Sequence, residues 1–424
     1  MNLKKMLPKH PTAFLLSNPK NPQVCLYLVI VLLFGCQSSK NPSSTNPNNA
    51  TTAEEKVLIK IDSTMNSYIE SNQLAGIATM TMKEGKVIQE KAYGYADIES
   101  KKELKKTDIF RIYSMTKPIV SLAILKLLEE GKFKLDDPIS QYAPEFKDLM
   151  VYENGQTVEP ERALTFRHLF THTSGFSYGW GSSYVDSLYR TSELLMPNGN
   201  LKEKVAKLVT IPLKSHPGTK WEYSISIDVL GYMIEVLSGQ ELDQYLKENI
   251  FNPLEMVDTD FYTPKEKINR LTTVYGKPNG ELSPIEHPSS SRFTQKPILL
   301  SGGGGLVSTM QDYANFCQMV LNKGEFNGKQ ILAPSTIEMA SQNQMPNNME
   351  AWEGVGYALG FAVALNDSPN QPKGLIWWGG AADTHFWIDP VNDLFMLAFA
   401  QHQPQNQIPF FTDYKKLIYE YESL

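Results

Sequence analysis

Only three cysteines occur in 424 residues, and their positions leave them little to do. Cys25 and Cys36 fall at the apolar N-terminal stretch, so Cys317 is the one thiol in the body of the chain and no intramolecular disulfide is expected in the mature protein. Cys317 stands in the helical pattern DYANFCQMVL, where a small core residue is the plain reading. There is no H-E-x-x-H and no Cys/His cluster, hence no metal site to propose. Gly302 to Gly305 lacks the spacing of a dinucleotide loop, and no other cofactor motif stands out. A formal charge of −6 with no basic stripe argues against a nucleic-acid partner. No internal repeat occurs, and no apolar run reaches the roughly 18 residues of a membrane-spanning helix. What remains is ordinary globular composition, 42% hydrophobic and 11% aromatic, in a chain long enough for two or three domain-sized units or for one large domain with an insertion.

The first fifty residues are a different material. Lys4, Lys5, Lys9 and Lys20 precede the apolar run Val24 to Phe34, which has the length of a signal-peptide h-region. Leu33-Phe34-Gly35-Cys36 closes it and resembles a bacterial lipobox, in which the cysteine is lipidated and becomes the mature N-terminus. Residues 1–36 are therefore expected to be a lipoprotein signal peptide. Residues 37–53, rich in Ser, Asn and Pro, read as a flexible tether. The expected location is the cell envelope through a lipid anchor at Cys36, on the outer membrane or in the periplasm if the host is Gram-negative.

From residue 54 the chain patterns as a folded body. Apolar residues at Val57, Ile61, Met65, Tyr68 and Ile69 predict an amphipathic helix, and Ile77 to Met82 with Val87 to Tyr95 predict a hairpin turning at Lys83 to Lys86. From Ser114 to about Leu300 the pattern is helices between long loops, with few convincing strands. Strand signals return at Leu375 to Trp378, Phe386 to Ile388 and Leu394 to Ala400, and a helix over Pro409 to Tyr421 ends the chain. This order predicts one sheet built from the two ends of the chain, about 54–112 and 301–424, with a mostly helical insertion at about 113–300.

The stretch FRIYSMTKPIVSLAILKLLEEG organises the chemistry. After Lys117 the apolar residues Ile119, Val120, Ala123, Ile124, Leu127 and Leu128 keep helical spacing until Gly131, so Ser114 stands near the start of a buried helix. Lys117, three residues on, shares its face. A lysine held beside a serine hydroxyl can lower its pKa or take its proton. Tyr223, at the loop–helix junction in PGTKWEYSISIDVLGY, has the chemistry of a general base if cations lower its pKa.

Ser114-x-x-Lys117 and Tyr223-Ser224, together with LTFRHLFTHTSGF, PGTKWEYS and SGGGGLVSTMQDYANF, resemble the serine β-lactamase and penicillin-binding-protein superfamily, and within it the class C β-lactamase-like branch. The resemblance covers about Glu54 to Leu424. It implies an α/β (α+β) fold with an antiparallel sheet flanked by helices, a mostly helical inserted domain, and a site in the cleft between them. It assigns Ser114 as nucleophile, Lys117 as its activator and Tyr223 as proton carrier. The family's Lys-Thr-Gly is absent, and Trp378-Gly379-Gly380 stands in its place. The glycines would let substrate approach the strand, and the amides of Ser114 and Ala381 would form an oxyanion hole. Trp378 replaces a cation with an aromatic wall, and Ile225 replaces the Asn that binds a substrate amide. The Trp378 departure resembles the family VIII carboxylesterases, and the loss of the Asn at Ile225 counts against an efficient β-lactamase or peptidase. His385 is a further candidate for the substrate cleft.

Other readings stay in view. Gly175 to Gly179 satisfies G-x-S-x-G around Ser177, but it follows a helix-like segment where a nucleophile elbow needs a strand, and His172 reads as a structural residue of its turn. The expected function is a serine hydrolase acting through an acyl-enzyme on small neutral esters, its partners a small-molecule substrate and the membrane. The alternatives are a class C-type β-lactamase or D-amino-acid peptidase, and a non-catalytic cell-wall-binding protein.

Overall fold

The computed structural model describes residues 51–424. The leader, Cys36 and residues 37–50 of the tether lie outside the described residues. Helix α1 (Ala53–Glu70) begins at a reciprocal cap: the Thr52 hydroxyl accepts from the Glu55 amide at 3.1 Å, and the Glu55 carboxylate accepts from the Thr52 amide at 2.9 Å. Strands β1 (Gly76–Lys83) and β2 (Lys86–Asp97) follow, joined through Glu84 and Gly85. Both turn residues have positive φ, 49° and 71°, which a two-residue hairpin with the right twist demands. The short edge strand β3 (Lys102–Glu103) completes this end.

Helix α2 (Thr116–Glu129) is buried almost all round, as a helix apolar on every side must be. It packs against α3 (Ser226–Ser238). Truncating a fully buried residue of α2 such as Ile124 costs ~2–5 kcal/mol. Helix α4 (Met310–Leu321) precedes strands β4 (Val355–Tyr357), β5 (Ala362–Ala364), β6 (Ile376–Gly380), β7 (Thr384–Asp389) and β8 (Leu394–Phe399), and α5 (Phe410–Glu422) ends the chain.

The eight strands form one antiparallel sheet in the order β4-β5-β6-β7-β8-β1-β2-β3. The two ends of the chain meet where β1 pairs with β8, from Ala78 opposite Phe399 to Lys83 opposite Leu394. Alternation then divides the side chains. Met80, Phe386, Phe395, Leu397 and Phe399 join the core that contains α2, α3 and α4, whereas Ile77, Trp387, Leu394, Met396 and Ala398 pack with α1 and α5. With both faces covered, β8 is buried at every residue and reads as an unbroken apolar run.

Two departures from the sequence pattern have the same cause. The stretch 114–300 contains short ladders, Val151–Glu153 with Gln156–Val158 and Val274–Gly276 with Ser283–Glu286. β4 and β5 are three-residue strands buried throughout. Segments this short carry too few residues for a period of two to register. No helix of the described residues is long and apolar enough to cross a membrane.

Candidate active site

Phe110 and Arg111, paired with Ser308 and Val307, lead into a tight turn at Tyr113–Met115. Tyr113 there has φ +40°, a conformation that costs a bulky residue on the order of 1–3 kcal/mol and persists only where its surroundings enforce it. Its ring packs edge-on against Phe293 at 5.7 Å. Ser114, at the centre of this turn, opens into the cleft, and Lys117 lies buried in the first turn of α2. Lys117 Nζ is 3.2 Å from Ser114 Oγ and donates to the Gly303 carbonyl at 2.5 Å. Lys117 Nζ also lies 4.5 Å from the Tyr223 ring centroid and 5.4 Å from that of Tyr178.

The Gly303 carbonyl is itself held in place. Asp228, in the first turn of α3, accepts from the Ser301 hydroxyl at 2.5 Å and from the Gly303 amide at 3.1 Å. A Cβ on Gly303 would come within 2.2 Å of the other Asp228 carboxylate oxygen, so this contact requires glycine. The run of glycines is thus a clamp that links Asp228 to Lys117.

Tyr223 is positioned from behind by His172. That imidazole is buried, at 4.8 Å from the Tyr223 ring, and its Nδ1 accepts from the Ser224 amide at 3.2 Å. Burial and the nearby Lys117 push the His172 pKa well down, which keeps the ring neutral. From the front, Trp378 Nε1 donates to the Tyr223 oxygen at 3.3 Å. Trp378 is therefore more than an apolar wall, since it places a hydrogen-bond donor where the family motif has a cation. Ile225 caps α3 with a buried side chain and brings no polar group to the cleft.

The Trp378–Gly380 segment is reachable because β5 pairs with β6 only at Ile376 and Trp377. Beyond Trp377 the edge of β6 has no strand partner on that side among the described residues. Gly380 lies against the Ile112 carbonyl, which an added Cβ would approach to 2.3 Å, so the end of β6 and the Ser114 turn pack backbone to backbone. Ala381 follows it and lines the same cleft. His385, which sequence reading groups with these residues, pairs with Gly379 and projects from the opposite face of the sheet to Trp378. It stacks on Phe411 at 3.9 Å and lines the far part of the cleft.

Ser177 is accounted for without chemistry. It is buried, donates to Asp186 Oδ1 at 2.6 Å and accepts from the Gly179 amide at 2.9 Å. Burial works to raise the Asp186 pKa, but hydrogen bonds from Ser177, Ser183 and Lys214 outweigh it and hold the carboxyl well below its usual range. The segment before Ser177 contains the helix Phe166–Phe170 rather than a strand. Cys317 is buried in the core, its thiol pKa pushed up by desolvation.

Sequence reasoning missed the rest of the lining. Tyr178 and Trp180 stack at 4.8 Å and Trp221 meets Trp352 at 5.6 Å, while behind the lining the fully buried Tyr357 packs edge-on against Trp378 at 5.2 Å. The cleft they surround measures about 1240 Å³.

A β-lactamase family model matches residues 61–418. Protein Rv1367c of Mycobacterium tuberculosis is 30% identical over 357 residues, covering 79% of this chain and 88% of its own. Esterase EstB of Burkholderia gladioli is 26% identical over 377 residues, 84% of this chain and 93% of its own. The solved structure of EstCE1, described as a hydrolase with promiscuous acyltransferase activity, superposes with a TM-score of 0.76 at 25% identity, covering 87% of this chain and 99% of that one. With the fold, the Ser114–Lys117 pair and the family match in agreement, this chain belongs to the β-lactamase family of serine hydrolases.

Proposed function

We propose that this protein is a carboxylesterase that works through an acyl-enzyme on Ser114 and is neutral in its demands at the scissile bond. The observation that carries the reading is the position of Lys117 Nζ, 3.2 Å from Ser114 Oγ and 4.5 Å from the Tyr223 ring. Ser114 Oγ attacks the ester carbonyl while its proton passes to the Lys117–Tyr223 pair. The amides of Ser114 and Ala381 meet the oxyanion. Tyr223 returns the proton to the departing alcohol, and water then releases the acid by the same steps in reverse.

Preference for esters follows from two side chains. Trp378 offers a substrate carboxylate no charge at the place where the family motif has a lysine, and an anion buried there without a partner costs several kcal/mol. Ile225 removes the amide contact a β-lactam or peptide would use. The esterase names of EstB and EstCE1's description as a hydrolase support this choice over β-lactam hydrolysis.

The test compares kcat/KM for p-nitrophenyl butyrate and nitrocefin. An excess of at least a hundredfold for the ester is expected, and a preference for nitrocefin refutes the esterase reading. A fluorophosphonate probe, read by mass spectrometry, should label Ser114 and no other serine. Anchoring through a lipidated Cys36 belongs to the same proposal, supported by Leu33 to Cys36 and the polar tether after it.

A further inference from the structure

The cleft has a second half that the chemistry at Ser114 does not use. Alternation along β6 sends Trp378 to one face of the sheet and Trp377 to the other. Around the free edge of the strand the cleft continues onto that second face, where Trp377, His385, Trp387, Phe411 and Lys415 line it. The rings are layered: Trp387 lies 6.0 Å from both His385 and Phe411, nearly parallel to each at 16° and 23°. Lys415 reaches this layer from α5, its Nζ 6.0 Å from the Trp377 centroid and 5.8 Å from that of Trp387.

Lys415 is under-bonded for a cation so placed. An ammonium has three donors, and its one hydrogen bond among the described residues is a long one, 3.3 Å to Gln371 Oε1. Asp389, whose field reaches it, forms no ion pair with it. The Asp389 carboxylate already accepts from Tyr419 at 2.6 Å, from the Asn392 side chain at 2.7 Å and from the Val391 and Asn392 amides. Burial brings the Lys415 pKa down to about 8, so at neutral pH the group is charged in surroundings that disfavour its charge, and an incoming anion would relieve that. Other cations along the cleft are engaged or differently placed: Lys117 on Ser114 and Gly303, Lys204 on the carbonyls of Leu194 and Met196, Lys296 on Asp243 at 2.6 Å. Arg292 is exposed at the rim, where water screens it.

We propose that this far half is a subsite for the carboxylate of a carboxylate-bearing ester, with the body of the substrate lying along Trp377 and Phe411 and the carboxylate on Lys415. The subsite rests on the esterase reading, since the other end of the same molecule must reach Ser114. It also fits the size of the cleft, which at about 1240 Å³ exceeds the ~300–1,000 Å³ of ordinary small-molecule sites. The charge that Trp378 refuses near the scissile bond is accepted at the far end of the substrate instead.

The experiment compares each acid with its own methyl ester. One series carries the carboxylate on the acyl side, as p-nitrophenyl hemiesters of succinate, adipate and suberate. The other carries it on the alcohol side, as butyryl esters of 4-hydroxybenzoate and 4-hydroxycinnamate. In wild type the acid should exceed its methyl ester in kcat/KM by tenfold or more in one series, and in Lys415→Met, which keeps the stem packed between the rings, that ratio should fall to near one. A ratio near one in wild type, a preference that survives Lys415→Met, or one abolished instead by Arg292→Met overturns the subsite. Calorimetry on Ser114→Ala separates the two claims. There, suberate and 4-hydroxycinnamate should bind at least tenfold more weakly once Lys415→Met is added. Such binding in a protein that turns over no ester leaves the subsite standing and sinks the esterase reading, whereas unchanged binding alongside good ester turnover sinks only the subsite.

Discussion

Replacing Trp378 with Phe separates the two things that this residue does. Phenylalanine keeps an aromatic surface against Tyr223, whose ring lies 5.3 Å away, and against the edge-on Tyr357 at 5.2 Å. It removes the indole N–H that donates to the Tyr223 oxygen at 3.3 Å. A hydrogen bond to a neutral oxygen is worth ~0.5–1.5 kcal/mol and one to a charged oxygen ~1.5–3 kcal/mol. If Tyr223 gives up its proton during the cycle, the donor is therefore worth about 1–2 kcal/mol more in the ionised state than in the neutral one. At 1.36 kcal/mol per factor of ten, that difference is a loss of roughly 5- to 30-fold in kcat. KM should change by less than threefold, because the lost bond is to the enzyme's own tyrosine. The assay is steady-state hydrolysis of p-nitrophenyl butyrate by both proteins at one pH. An unchanged kcat with a raised KM would falsify this account and reduce Trp378 to an apolar wall.

Four further outcomes follow from other parts of the molecule. Ser114→Ala should remove probe labelling and about 10⁴-fold or more of the turnover, whereas Ser177→Ala should lower stability by ~1–3 kcal/mol through the buried Asp186 it leaves short of a donor, with kcat per folded molecule retained; the reverse pattern would mean that the G-x-S-x-G serine is the nucleophile. Asp228→Ala frees the Gly303 clamp on Lys117 and should lower kcat more than it raises KM, with Asp228→Asn recovering part of the loss; equal effects of the two variants on stability alone would make Asp228 merely structural. Burial, with Arg162 adding to it, lowers the His168 pKa to about 4, so between pH 6.5 and 4 the unfolded chain binds a proton that the fold refuses. Stability from this group is complete above pH 6.5 and falls by up to about 3 kcal/mol as pH drops to 4, a slope in urea midpoints that His168→Gln should flatten and that an identical slope in both proteins would contradict. Cys36→Ser should abolish lipid-dependent partition into detergent, and unchanged partition and processing would rule the anchor out.

Much of this was legible in the sequence because it is local. The Ser114–Lys117 pair needs only a spacing of three on a helix start, and the all-apolar run after it needs only burial to make sense. The sheet assembled from both chain ends follows from strand patterns at 77–95 and 375–400 with helices outside them, and the structure pairs β1 with β8. What escaped is non-local or too short. Tyr178, Trp180, Trp221 and Trp352 come from loops far apart in sequence, and no period links residues that meet only when the chain has folded. Asp228 carries no motif of its own, and its role appears only through Gly303, seventy-five residues later. The Trp378–Tyr223 bond spans 155 positions.

The placement of His385 carries the physical lesson further. Its nearness to Gly380 in sequence makes it a candidate for the substrate cleft, and the register Gly379 opposite His385 puts it on the other face of the sheet from Trp378, where it lines the far part of that cleft. Register is fixed by the turn between β6 and β7 and by which face each apolar residue must bury, and Gly379, with no side chain, cannot declare a face. Because β5 stops pairing at Trp377, the free edge of β6 joins the two faces instead of dividing them. One strand can then hold the reacting ester on one side and sort substrates on the other. Substitutions at Trp378 should act on kcat and those at Lys415 on the choice between substrates, with little coupling between them, since Trp378 stands on one face of β6 and Lys415 reaches the other face from α5.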